Sequence, residues 1–140
     1  MKRRNFIKFS TITILLSKEL LVAKTISSKE LLTLSNIYEI LFPKTNEMPS
    51  AKEFNAINYL LENINHKSFL DYDKDLVIQG TKDFISNFPD FLTLNKKEQK
   101  ELIYSIVNTN DYAQSWISKL LTLGIEALFA DPIYGGNTSQ

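Results

Sequence analysis

Cysteine is absent from this chain. That excludes disulfides, iron–sulfur ligation, thiolate zinc sites and the C-x-x-C-H attachment of haem together. Histidine occurs once, as His66, between Asn65 and Lys67 at the polar end of a helical pattern. A lone imidazole makes no metal set, so a solvated or capping role is expected. Four glycines build neither the dinucleotide fingerprint nor a phosphate loop. The serines have no His/Asp pair to activate them. Asp71, Asp73 and Asp75 open with the spacing of a calcium loop, but Leu76 replaces its turn glycine and Lys82 its bidentate glutamate. They read as an acidic helix start, where carboxylates meet the positive end of the helix dipole. No catalytic residue, cofactor site or metal site is expected in this chain.

Charge of one sign is missing only in total. The chain carries 16 basic and 16 acidic side chains, yet Lys2, Arg3, Arg4, Lys8 and Lys18 precede Lys24 against Glu19 alone. From Lys24 onward the balance is acidic, with a net charge of −4. Such a body has no basic surplus to neutralise phosphates, so nucleic acid is an unsuitable partner. Hydrophobic residues at 44% and charged residues at 23% describe a globular chain with room for one modest domain.

The N-terminus reads as an address. Arg3-Arg4-Asn5-Phe6-Ile7-Lys8 is followed by a short apolar stretch containing Ile12, Ile14, Leu15 and Leu16, the layout of a bacterial export signal. The pattern resembles the twin-arginine signal, with Arg3, Arg4, Phe6, Ile7 and Lys8 as its recognised residues and the twin-arginine translocase as the expected partner during export. Residues 1–26 form the signal segment in this reading, with Ala23 the best candidate for the last residue removed. The apolar stretch falls far short of the ~20 residues that span a bilayer. The periplasm is the expected location.

Residues 27–140 read as one all-α domain, a bundle of about five helices. Leu31, Leu34, Ile37, Tyr38 and Leu41 share one face of a first helix that stops at Phe42-Pro43. Ser50 and Glu53 make a capping box, predicting a second helix with Phe54, Ile57, Leu61 and Ile64 in a stripe. A third runs from about Ser68 to Phe88 with Leu76, Gly80, Phe84 and Phe88 in line. Asn95 and Glu98 cap a fourth containing Leu102, Ile103, Ile106 and Val107. The last, about Asp111 to Phe129, is apolar on two sides: Tyr112, Trp116, Leu120 and Leu123, then Ile117, Leu121, Ile125 and Leu128. Such a helix is expected at the centre of the bundle, with Trp116 in the core. It ends at Asp131-Pro132, before Gly135 and Gly136.

The run Ala127-Leu128-Phe129-Ala130-Asp131-Pro132-Ile133-Tyr134-Gly135-Gly136-Asn137 is similar to the hallmark of the gluconate 2-dehydrogenase subunit 3 family, a helix ending in phenylalanine before D-P-x-Y-G-G-N. Leu41-Phe42-Pro43 and Pro49-Ser50-Ala51 resemble that family's L-F-P and P-G-A blocks, with Ser50 where glycine is usual. Family members continue past G-G-N with an aromatic, glycine-rich tail; here Thr138, Ser139 and Gln140 follow. The resemblance implies a non-catalytic small subunit that supplies the export signal and escorts a large flavoprotein of the glucose–methanol–choline class, usually with a cytochrome c subunit. FAD would belong to the large subunit, and the complex to the outer face of the inner membrane. Asp131, Pro132, Ile133, Tyr134, Gly135, Gly136 and Asn137 become the candidate partner contact, because Ile133 and Tyr134 place large side chains on a glycine-hinged segment. A free-standing periplasmic assembly factor and a membrane-tethered interaction protein are the alternatives.

Overall fold

The computed structural model describes residues 26–130, which form five α-helices, one short 3₁₀ turn and no strand. The all-α expectation holds for this body, and each helix start can be traced to local chemistry.

Helix α1 (Ser28–Leu41) begins with a reciprocal cap. Ser27 Oγ accepts from the Glu30 amide at 3.2 Å, and Glu30 Oε1 accepts from the Ser27 amide at 3.0 Å. The other Glu30 oxygen pairs with Lys82 Nζ at 2.9 Å, tying the start of α1 to the third helix. Leu34, Ile37 and Tyr38 are buried, while Leu31 and Leu41 are half-buried. The helix closes at Phe42, as Pro43 requires.

The Ser50–Glu53 box forms, with Glu53 Oε1 accepting from the Ser50 amide at 2.8 Å. It does not open the predicted helix. One turn later Asn55 adopts the left-handed conformation, with φ 58°. The Asn55 amide donates to Lys52 O, and the Ala56 amide to Ala51 O. These are the paired bonds of a Schellman stop. Helix α2 therefore starts afresh at Ala56 and runs Ala56–Asn65. Its buried row is Ala56, Leu60 and Ile64; Ile57 and Leu61, expected at its centre, are only half-buried.

Helix α3 (Asp71–Asn87) starts three residues later than its pattern suggested. His66 to Phe69 form a turn, closed by the Phe69 amide donating to His66 O at 3.0 Å. Asp71 and Asp73 occupy the first turn of α3. After Phe88 and Pro89 comes a 3₁₀ turn, Phe91–Thr93, which no periodicity announced. It buries Phe91 edge-on against Phe84, ring centroids 4.9 Å apart. Gln99 Nε2 then donates to Phe91 O at 3.0 Å from inside α4 (Lys96–Thr109), whose Asn95–Glu98 box forms as expected.

Helix α5 (Asp111–Leu128) touches every other helix and is the axis of the bundle. Asn110 Oδ1 caps it, accepting from the Ala113 amide at 2.8 Å. Asp73 pairs with Lys119 at 3.2 Å while Phe84 meets Trp116, so α3 and α5 run antiparallel. Tyr38 bonds Leu120 and Phe42 abuts Gly124, so α1 and α5 run parallel. Two glycines permit these approaches. A Cβ on Gly80 would lie 2.6 Å from Trp116 Cγ, and one on Gly124 would lie 2.6 Å from Phe42 Cζ.

Candidate functional site

Among the described residues the side chains with catalytic potential do not converge. His66 is exposed and its Nδ1 is 2.7 Å from Ser68 Oγ, completing the turn after α2. Asp73 is paired with Lys119, while Asp71 and Asp75 face solvent. Among the described residues no three His, Cys, Asp or Glu side chains are grouped to hold a metal ion, and no helix is long and apolar enough to cross a membrane.

Two surface features stand out instead. The first is on α5. Its second apolar side was expected to be core, but Leu121 is 37% exposed and Ile125 45%, while Ile117 and Leu128 are buried. Helical geometry explains the difference. Each step of four residues advances about 40° around the axis, so the row Ile117, Leu121, Ile125, Phe129 walks out of the core into solvent. Phe129, at 79% exposure, ends the row. Glu126 flanks it and lies 3.4 Å from the Tyr59 hydroxyl of α2. That phenol is held above its ordinary titration range, chiefly by partial burial and then by the Glu126 carboxylate. The result is an uncovered apolar ridge with one acidic edge.

The second feature is a cleft of about 410 Å³ between α3, α4 and the start of α5. Trp116, 2% exposed, and Phe84 form its floor; Asp83, Asn87, Thr109 and Tyr112 stand around its mouth. Asp83 Oδ1 accepts from Gln79 Nε2 at 2.9 Å. No ion pair engages its carboxylate among the described residues. Burial, then the nearby Asp83 carboxylate and Tyr72, push the Tyr112 phenol up, so it keeps its proton at neutral pH.

The residues singled out from the sequence precede and follow this body in the chain. Arg3, Arg4, Phe6, Ile7 and Lys8, and Asp131, Pro132, Ile133, Tyr134, Gly135, Gly136 and Asn137, fall outside the described residues. What the structure adds is the lead-in to the second group: the apolar ridge on α5 ends at Phe129, two positions before Asp131. The ridge is legible as apolar periodicity, but periodicity alone places it in the core. The cleft had no sequence signal, because it arises where three helices fail to close.

The family model for gluconate 2-dehydrogenase subunit 3 matches residues 28–140. No curated protein and no solved structure matches the chain.

Proposed function

The chain belongs to the gluconate 2-dehydrogenase subunit 3 family, small subunits of a multi-subunit dehydrogenase complex, and on that premise we propose that it is the non-catalytic subunit that docks and escorts a large flavoprotein. The observation that carries this reading is the α5 ridge. Leu121, Ile125 and Phe129 form a graded apolar row that ends two positions before Asp131 in the sequence. Large exposed side chains in one row are the material of an interface anchor rather than of a free surface. In this reading residues Asp131–Asn137 continue the contact beyond α5.

The flavin is assigned to the partner on the chemistry of the donor set. A dinucleotide's pyrophosphate calls for backbone amides in a glycine-rich turn or for basic side chains. No basic residue lines the α3–α5 cleft, and the mouth carries a carboxylate. The large subunit is of the glucose–methanol–choline class, a cytochrome c subunit completes the complex, and FAD supplies the oxidising chemistry in the large subunit. The twin-arginine segment, Arg3-Arg4-x-Phe6-Ile7-Lys8, directs the folded pair to the periplasm.

Purification of the tagged full chain from the periplasm of cells that make the complex tests the reading. The expected result is a co-purifying chain with flavin absorbance and sugar or alcohol dehydrogenase activity. A small chain that elutes alone, with the flavoprotein activity left in the unbound fraction, overturns it.

A further inference from the structure

The cleft between α3, α4 and α5 is polar at its mouth, and its formal charge is of one sign, that of Asp83. Asn87 Nδ2 is turned back onto Asp83 O at 2.8 Å, and the Thr109 hydroxyl donates to Ser105 O at 2.8 Å. Both side chains thereby spend donor capacity on the preceding turn of their own helix. Acceptor capacity remains at Asn87 Oδ1, the Thr109 oxygen lone pairs and the Asp83 carboxylate, beside donors at the Tyr112 hydroxyl and at Trp116 Nε1, which is buried without a partner. No basic side chain is among the lining residues. Behind these acceptors stand aromatic rings, with Phe84 and Trp116 as the floor and Tyr112 at the edge. The only tryptophan of the chain therefore sits at the base of an anionic recess.

The Asp83 carboxylate, the neighbouring acceptors and the aromatic walls favour a ligand with several donors, a positive charge and a flat face. The guanidinium group has all three properties. It carries five N–H donors in a planar fork, matches a carboxylate bidentately and stacks on aromatic faces. A lysine ammonium offers charge and three donors but no plane. An anionic or phosphorylated ligand would meet Asp83 with no countercharge. A cleft of about 410 Å³ is at the scale of small-ligand sites, with space for one long side chain and its solvent.

We propose that this cleft receives an arginine side chain presented by a partner subunit of the dehydrogenase complex, with Asp83 as its counter-ion and Tyr112 as the stacking surface. The assignment to a partner subunit rests on the small-subunit reading above; the chemistry of the cleft does not. Charge complementarity favours this occupant, since the body from Lys24 onward carries a net charge of −4. The body also has no arginine of its own to fill the cleft, because Arg3 and Arg4 are the only two in the chain.

Trp116 provides the readout. The full chain is titrated with N-acetylarginine amide and with the neutral isostere N-acetylcitrulline amide while Trp116 emission is followed. The arginine compound should give a saturable change at concentrations at least about tenfold lower than citrulline, the scale of one charge-assisted hydrogen bond. Asp83→Asn should abolish the difference, and Tyr112→Leu should weaken binding of both compounds. Asp75→Asn, an exposed carboxylate elsewhere on α3, should change nothing. Circular dichroism establishes that each variant is folded. Equal responses to the two compounds, or an Asp83→Asn chain that still prefers arginine, overturn the cleft chemistry. In the purified complex, Asp83→Asn should weaken retention of one subunit about tenfold. Undiminished retention of every subunit overturns the assignment to a partner. Absence of any partner with the wild-type chain contradicts the small-subunit reading, and the titration still decides the cleft.

Discussion

The hydroxyl of Tyr38 donates to the main-chain carbonyl of Leu120 across 2.8 Å, joining α1 to α5 over 82 residues of sequence. Tyr38 is buried, and its ring lies 6.0 Å from that of Phe42. One bond thus sets the height of the first helix against the central one.

Replacing Tyr38 by phenylalanine should cost about 1 kcal/mol, the typical net value of a buried hydrogen bond. It should also change the alkaline limb of stability. Burial first, and then the Glu126 carboxylate, push the Tyr38 phenol far above its ordinary value. The folded chain keeps this proton while the unfolded chain releases its own from about pH 10 upward. Stability is therefore lost as pH rises above about 10, because the unfolded state binds fewer protons there. Urea midpoints at about pH 9 and pH 11 should fall less steeply in Tyr38→Phe than in wild type. Tyr59 and Tyr112, also raised, account for part of the slope that remains.

Gly80→Ala is expected to destabilise the bundle by about 1–3 kcal/mol, the cost of overpacking a filled contact. In an exposed helix the same change would gain about 1 kcal/mol, so the sign reports the contact. The obstacle is the root of the Trp116 indole, which is packed and cannot swing aside. Gly124→Ala should cost less, because the nearest obstacle is the far end of the half-buried Phe42 ring. Thermal denaturation of the two variants orders them.

Asn55 offers a third test. Its left-handed backbone ends the single turn after Ser50 and lets α2 begin at Ala56. Asn55→Gly should be tolerated, while Asn55→Val should lose about 1–2 kcal/mol. Equal midpoints for the two variants in urea would mean that this turn does not require the conformation.

These particulars mark how far the sequence could be read. The Asn95–Glu98 capping pair and the proline stops after Phe42 and Phe88 are local signals, and the helix ends they mark form where expected. The Ser50–Glu53 pair is equally local, and for that reason it marks a start without saying how many turns follow. The exposure of Leu121 and Ile125 is a tertiary fact. A row at intervals of four is apolar all along, but only its neighbours decide where it leaves the core. The acceptors that Asn87 and Thr109 offer at the cleft likewise depend on which way they spend their protons, a choice made in the folded helices.

Export is tested on the twin arginines. Arg3→Lys with Arg4→Lys should leave the protein in the cytoplasm, because the reading depends on the guanidinium groups and not on charge alone. Unchanged periplasmic levels of the double variant would contradict a twin-arginine route.

The central claim is that α5 presents a docking ridge to a flavoprotein subunit. Ile125→Ser and Phe129→Ser remove apolar surface that the free chain already leaves in water, so the midpoint of thermal unfolding of the isolated protein should hardly move. Loss of interface anchors commonly exceeds about 2 kcal/mol, so retention of the flavoprotein on the tagged chain should fall at least about thirtyfold. The direct measurement is the dissociation constant of the purified flavoprotein subunit for wild-type chain and for the Ile125→Ser, Phe129→Ser double variant, alongside both melting curves. The account predicts a large loss of affinity with melting unchanged. Affinity equal to wild type, or a collapse of stability with affinity intact, would contradict it and return the ridge to the fold.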